Sequence, residues 1–108
     1  DGLNTPWFGD VWLNPPYGRT ENPRWAKRVV DQLDNCRSIT ALVPASTSTD
    51  WWQDYYAEHA HTFCFLDERV DFHGGDQSAT FANVICVFGN MPGDYFEAFE
   101  DMGTTLVR

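Results

Sequence analysis

Asn14, Pro15, Pro16 and Tyr17 are the residues of this chain whose types and spacing can do chemistry. A carboxamide, a proline carbonyl and an aromatic ring stand within four positions. The fixed φ of the two prolines leaves them little freedom to relax. A side-chain oxygen and a main-chain oxygen that both accept hydrogen bonds can hold the two hydrogens of one NH2 group. An exocyclic amine on a heteroaromatic ring is a poor nucleophile, because its lone pair is delocalised into the ring. Two preorganised acceptors draw it towards tetrahedral geometry and offset the charge that develops during attack. Tyr17 adds a flat face for a base to stack on, worth about 1–3 kcal/mol in nucleic-acid sites. Neither a metal nor a covalent intermediate is required.

A loop of this kind needs a rigid strand end to hold it. Asp10-Val11-Trp12-Leu13 reads as a short buried strand, and the prolines after it cannot extend a ladder. In open α/β sheets the C-terminal strand ends are where ligands bind. Asn22-Pro23 reads as a helix start. The spacing then predicts a helix over 23–35, with Trp25, Val29, Val30 and Leu33 inward and Lys27 and Arg28 outward. Ile39 to Val43 is almost continuously apolar, as an interior parallel strand covered on both faces would be, and it too ends at a proline, Pro44. A polar loop over 45–50 leads to a helix over about 50–59, capped by Thr49 or Asp50. Trp51, Trp52, Tyr55 and Tyr56 form i, i+4 pairs on it; at least two are expected in the core, and the others could line a base-binding wall.

Thr62 to Leu66 reads as a third strand and Arg69 to Phe72 as a short fourth. The glycine-containing turn 73–78 and the strand over 80–88 then make an antiparallel hairpin with it. Asp94 with Glu97 forms a capping box for a last short helix, stopped by Gly103. Residues 104–108 are a strand or a loose tail. His59 and His61 lack carboxylate or cysteine companions at ligand spacing and read as helix-end residues, and His73 is a loop residue. The three cysteines, Cys36, Cys64 and Cys86, have no C-x-x-C spacing and read as buried free thiols in a reducing compartment.

Asn-Pro-Pro-Tyr at a strand end resembles the motif of amino-methyltransferases that use S-adenosylmethionine. Its flanks, among them Trp7, Gly9, Val11-Trp12-Leu13, Arg19, Trp25, Leu42-Val43-Pro44-Ala45, Thr49, Trp51-Trp52, Arg69, Phe72 and Phe81, are similar to the phage-type (Dam-like) DNA N6-adenine methyltransferases, as far as about Phe88. The resemblance implies an α/β fold, part of a Rossmann-like methyltransferase sheet, mostly parallel with a terminal antiparallel hairpin. It implies S-adenosylmethionine as cofactor and double-stranded DNA as partner, with the target adenine flipped from the duplex. Asn14, Pro15, Pro16 and Tyr17 would be catalytic, Asn14 also facing the cofactor, while Arg19, Lys27 and Arg69 would contact the substrate. In that family the cofactor-binding strands precede the motif. No strand, glycine turn and acid for a ribose is found here. The 108 residues therefore read as a single, partial domain, the catalytic C-terminal half of a larger enzyme, with negligible activity alone and an open sheet edge. The start at Asp1 fits a fragment or a processed chain. Cytosine N4, an RNA base or a protein glutamine remain as alternative acceptors, and a non-catalytic nucleic-acid-binding remnant as an alternative role.

Composition bounds these readings. With 43% hydrophobic and 16% aromatic residues the chain can build a core. No stretch is apolar enough to span a bilayer and none resembles a signal peptide, so a cytoplasmic site, or the host cytoplasm for a viral protein, is expected. Net charge is −9, which is unusual for a protein that must meet phosphate. Five of the seven basic residues, Arg19, Arg24, Lys27, Arg28 and Arg37, fall near the motif and are expected to favour a phosphate-facing patch there. Scattered acids with Lys27 as the only lysine point to a halophilic archaeon or its virus. The melting temperature is therefore expected to rise steeply between dilute buffer and molar KCl; full stability in dilute buffer would contradict a halophilic origin.

Overall fold

A computed structural model describes residues 2–67, 70–71, 80–91 and 95–108. Strand β1 (Gly9–Leu13) is followed by helix α1 (Glu21–Gln32), a 3-10 turn (Leu33–Asn35) and strand β2 (Cys36–Pro44). A π-helical segment (Trp52–Ala57) leads to β3 (Thr62–Leu66). Short β4 (Val70–Asp71) and β5 (Thr80–Phe81) precede β6 (Asn83–Gly89), helix α2 (Tyr95–Glu100) and β7 (Gly103–Val107). Among the described residues the main sheet has five strands in the order β1-β2-β6-β3-β7, and β4 pairs with β5 in a separate ribbon.

The described sheet is mixed α/β and mostly antiparallel, which corrects the expectation of a mostly parallel one. Among the described residues only β1 and β2 pair in parallel, with Val11 opposite Ile39 and Leu13 opposite Ala41. The physical reason lies in β6. It runs antiparallel to β2 on one side and to β3 on the other. β1, β2 and β3 therefore do point the same way, but β6 takes the hydrogen-bonding place between β2 and β3. Its residues from Asn83 to Phe88 are all buried, so it fills a central position. The expected hairpin survives only as the β4–β5 ribbon. The chain leaves that ribbon at Ala82 and enters the main sheet instead.

Alternation along the strands sorts side chains onto two faces. On one, Ile39, Ala41, Val43, Val84, Cys86 and Phe88 meet Ala26 and Val29 of α1 and Trp52 and Tyr56 of the π segment. Each large buried side chain there contributes about 1.5–3 kcal/mol. On the other, Cys64, Ile85 and Val87 pack with Phe99 of α2. That second face is bare at the β1 end, where Trp12 is 61% exposed. Among the described residues no helix is long and apolar enough to cross a membrane.

Several boundaries differ from expectation. α1 begins two residues early: Thr20 flanks it without a side-chain cap, and the Asn22 N–H already donates to the Gly18 carbonyl at 2.9 Å. Glu21 also accepts from the Trp25 indole at 3.0 Å, which favours the earlier start. The helix tightens into the 3-10 turn at Leu33 rather than continuing to 35. Thr49 turns its hydroxyl back onto the Ser46 carbonyl, 2.7 Å away. Gly103 opens β7 rather than merely ending a helix, because it must pass against the Phe65 carbonyl, where a Cβ would collide. Asp94 lies outside the described residues.

At the edge of the sheet away from the motif, Asp10 of β1 bonds Arg37 and accepts from the Ser38 hydroxyl at 2.7 Å. The Arg37 guanidinium, then the Ser38 hydroxyl, hold the Asp10 carboxyl down at about 2. Gly89 closes β6 nearby with φ +78°, and a Cβ there would collide with the Arg37 carbonyl. Gly89→Ala is therefore expected to destabilise the fold by about 2 kcal/mol or more, from the left-handed backbone and the collision together. A urea unfolding midpoint within error of the wild type would contradict this placement.

Candidate active site

Because β1 and β2 are parallel and in register, they end at the same edge of the sheet. There the motif loop, residues 14–18, leaves β1 and the 45–50 loop leaves β2. β6 runs the other way, so its first residue, Asn83, lies opposite Pro44 at that same edge. The Ala45 N–H donates to the Ala82 carbonyl at 2.8 Å, joining the β2 loop to the start of β6.

Within the motif Asn14 and Pro16 are exposed, Pro15 is buried and Tyr17 is half-buried. The carboxamide is thus available to a ligand and not lost in the core. The Tyr17 hydroxyl donates to the Leu42 carbonyl at 3.1 Å and accepts from the Asn83 side-chain amide at 2.8 Å. Burial pushes the phenol far above its ordinary range, and the Asn83 bond opposes this only in part. Tyr17 therefore presents a ring whose oxygen is fixed by two hydrogen bonds. Gly18 follows at φ +152°, and its carbonyl receives the Asn22 N–H, so the loop runs straight into α1. Asn83 carried no signal of its own in the sequence beyond being a polar residue that heads an apolar run.

The four clustered aromatics divide as expected. Trp52 and Tyr56 are 3% and 1% exposed and belong to the core. Trp51 and Tyr55 are half-buried and line a shallow cleft of about 560 Å³ with Pro23, Thr49, Asp50 and Asp54. The segment Trp52–Ala57, which begins just after Trp51 and carries Tyr55, is a π-helix, not the ordinary helix the spacing predicts. Such wide turns occur often at functional sites.

The clustered cations are mostly engaged elsewhere. Lys27 pairs with Asp31 at 3.0 Å on the outer face of α1, and Arg24 reaches Glu21 at 3.4 Å. Arg28 donates to the carbonyls of Gly2 and Thr5 and lies 5.7 Å from the Trp7 ring centre, so it ties down the N-terminal segment. Arg37 is bound to Asp10 at the far edge. The expected phosphate-facing patch is therefore not assembled from these residues. Arg19, exposed beside the motif loop, makes no ion pair or side-chain hydrogen bond among the described residues. Arg69, Phe72 and His73 lie outside the described residues.

Among the described residues no three His, Cys, Asp or Glu side chains group as metal ligands. His61 contacts the Thr62 hydroxyl and the Gly89 carbonyl. Cys64 and Cys86 are buried and Cys36 half-buried, all three free, and burial pushes each thiol up.

Comparison with known proteins gives two matches. The family model for DNA N-6-adenine-methyltransferase (Dam) matches residues 1–89. A DNA N-6-adenine-methyltransferase of Escherichia phage T1 is 37% identical over 51 residues, covering 44% of this chain and 21% of the phage protein. The chain thus spans about a fifth of the length of that curated relative. No solved structure matches.

Proposed function

The chain belongs to the DNA N-6-adenine-methyltransferase (Dam) family, and we propose that it supplies the acceptor-base site of an enzyme methylating the N6 amine of adenine in double-stranded DNA. The observation that carries this reading is the motif at the end of β1: an exposed Asn14, a buried Pro15 and a Tyr17 ring held by its oxygen. In this reading the Asn14 side-chain oxygen and the Pro15 carbonyl each accept one hydrogen of the amine. That hydrogen bonding localises the nitrogen lone pair and offsets the charge that develops on it. Pro16 limits the loop to one path. The adenine is flipped from the duplex and stacks on the Tyr17 ring.

The methyl donor is proposed to be S-adenosylmethionine, which supplies an electrophilic methyl sulfonium when bound, with Asn14 facing both donor and base. The described residues do not make a donor site by themselves. They offer no strand, glycine turn and free acid for a ribose, since Asp10 is taken by Arg37 and Ser38. We read these residues as the catalytic part of a larger Rossmann-like sheet whose other half binds the donor. Three features support this: β1 is an edge strand among the described residues, its Trp12 is 61% exposed and the neighbouring Phe8 81% exposed, and the chain spans 21% of its phage relative. Edge strands are normally covered, and exposed apolar residues beside one invite a partner. The phage relative likewise favours a viral source, and the acidic composition one that works in high salt.

Arg19 is proposed as the phosphate contact nearest the base. Lys27 and Arg69 are secondary candidates, Lys27 only after exchanging Asp31 for phosphate.

In the full-length enzyme, Asn14→Ala is expected to abolish turnover while DNA affinity largely survives. The assay is transfer of labelled methyl, with digestion of the product to locate the label on adenine N6, cytosine N4, RNA or a glutamine side chain. Retained turnover, or label elsewhere than adenine, would overturn the reading. Arg19→Ala is expected to weaken duplex binding and to lower the slope of log affinity against log salt by about 1. An unchanged slope would remove Arg19 from the phosphate contacts.

A further inference from the structure

We propose that Asn83 is a positioning residue for the proposed methyl transfer, acting through the Tyr17 hydroxyl to hold the stacking ring in one orientation. The inference rests on the reading of Tyr17 as the base platform. Asn83 is 2% exposed and heads β6, 66 residues from Tyr17 in sequence. Its NH2 group has two protons, and each has an acceptor: the Tyr17 hydroxyl at 2.8 Å and the Val43 carbonyl at 3.2 Å. The Tyr17 hydroxyl spends its own single proton on the Leu42 carbonyl. The phenol oxygen is thus pinned between a donor from β6 and an acceptor on β2, which fixes both its place and its proton.

The same side chain leaves its own carbonyl oxygen buried with no hydrogen-bond partner among the described residues. A buried acceptor left unpaired is costly, so the amide is held at this position at an energetic penalty. What the amide does contribute is its NH2 group, directed at the one polar atom of the motif ring. Asn83 also follows directly on Ala82, whose carbonyl holds the β2 loop, and stands two residues after β5. Ring orientation is thereby set by the junction where the ribbon joins the sheet. A half-buried ring without that clamp could still stack, but it could tilt, and small errors in placing a reactive amine are expensive in rate.

The experiment is a double-mutant cycle in the full-length enzyme on duplex DNA, using Asn83→Leu and Tyr17→Phe. Each single variant is expected to lose about 10- to 100-fold in kcat with KM for DNA changed by less than about twofold. In the Tyr17→Phe background, Asn83→Leu should lose less than about twofold more, because the hydroxyl through which it acts is already gone. Equal losses in both backgrounds, or a rise in KM with kcat intact, would overturn the proposal. Tyr17→Phe also reads the clamp from its other partner should Asn83→Leu fail to fold; kcat within about twofold of wild type in Tyr17→Phe would overturn it as well. A second readout needs no turnover: with 13Cζ-labelled tyrosine, the Tyr17 resonance, identified by its loss in Tyr17→Phe, should shift in Asn83→Leu. An unmoved resonance overturns the clamp. A shifted resonance in an enzyme that labels no adenine would leave the clamp standing and remove the proposed function.

Discussion

Strand β2 carries the arrangement. It pairs with β1 from Cys36 to Ala41 along one edge and with β6 from Ser38 to Pro44 along the other. A strand held on two sides has little freedom to shift register, since a one-residue slip would exchange the side chains of its two packed faces. The carbonyls of Leu42 and Val43 are therefore fixed points. The Tyr17 hydroxyl bonds the first and the Asn83 amide the second, so the motif ring is referenced to an interior strand of the sheet.

That arrangement separates rigidity from exposure. Pro15 is buried and Tyr17 is anchored at its far end, yet Asn14 stays accessible at the sheet edge. A loop that must meet a large substrate needs an open polar atom. A loop that must stabilise charge needs that atom already in place, because reorganisation during the reaction would cancel the gain. In the proposed function the two prolines supply the second property locally, and the bonds of Tyr17 to β2 and β6 supply it from a distance.

Charge follows a different logic. Nearness in sequence suggested a basic surface around the motif, but helix geometry and local acids disperse it. Lys27 and Arg24 sit on α1 within reach of Asp31 and Glu21, Arg28 is occupied by main-chain carbonyls, and Arg37 lies at the other end of β2. Among the described residues Arg19 alone combines exposure, lack of an ionic partner and a position beside the motif. In a chain with net charge −9, one such cation carries more weight than a crowd of paired ones.

Local pattern was enough to read β1, β2 and β3, the two main helical segments and the Asn-Pro-Pro-Tyr loop. Each depends on apolar runs, proline and helical spacing within a few residues. It also placed half of the Trp51–Tyr56 aromatics in the core, though not which half. Hydrophobic periodicity says that a segment is a strand and says nothing of its neighbour. For that reason the insertion of β6 between β2 and β3, and the release of the ribbon at Ala82, came only with the tertiary structure. Asn83 was invisible for the same reason: its role is a hydrogen bond across 66 residues, and no local pattern encodes such a partner. The sequence alone determined which residues the motif loop offers, because their types and spacing are local; long-range pairing decided what holds the Tyr17 ring still, because its partners lie on β2 and β6.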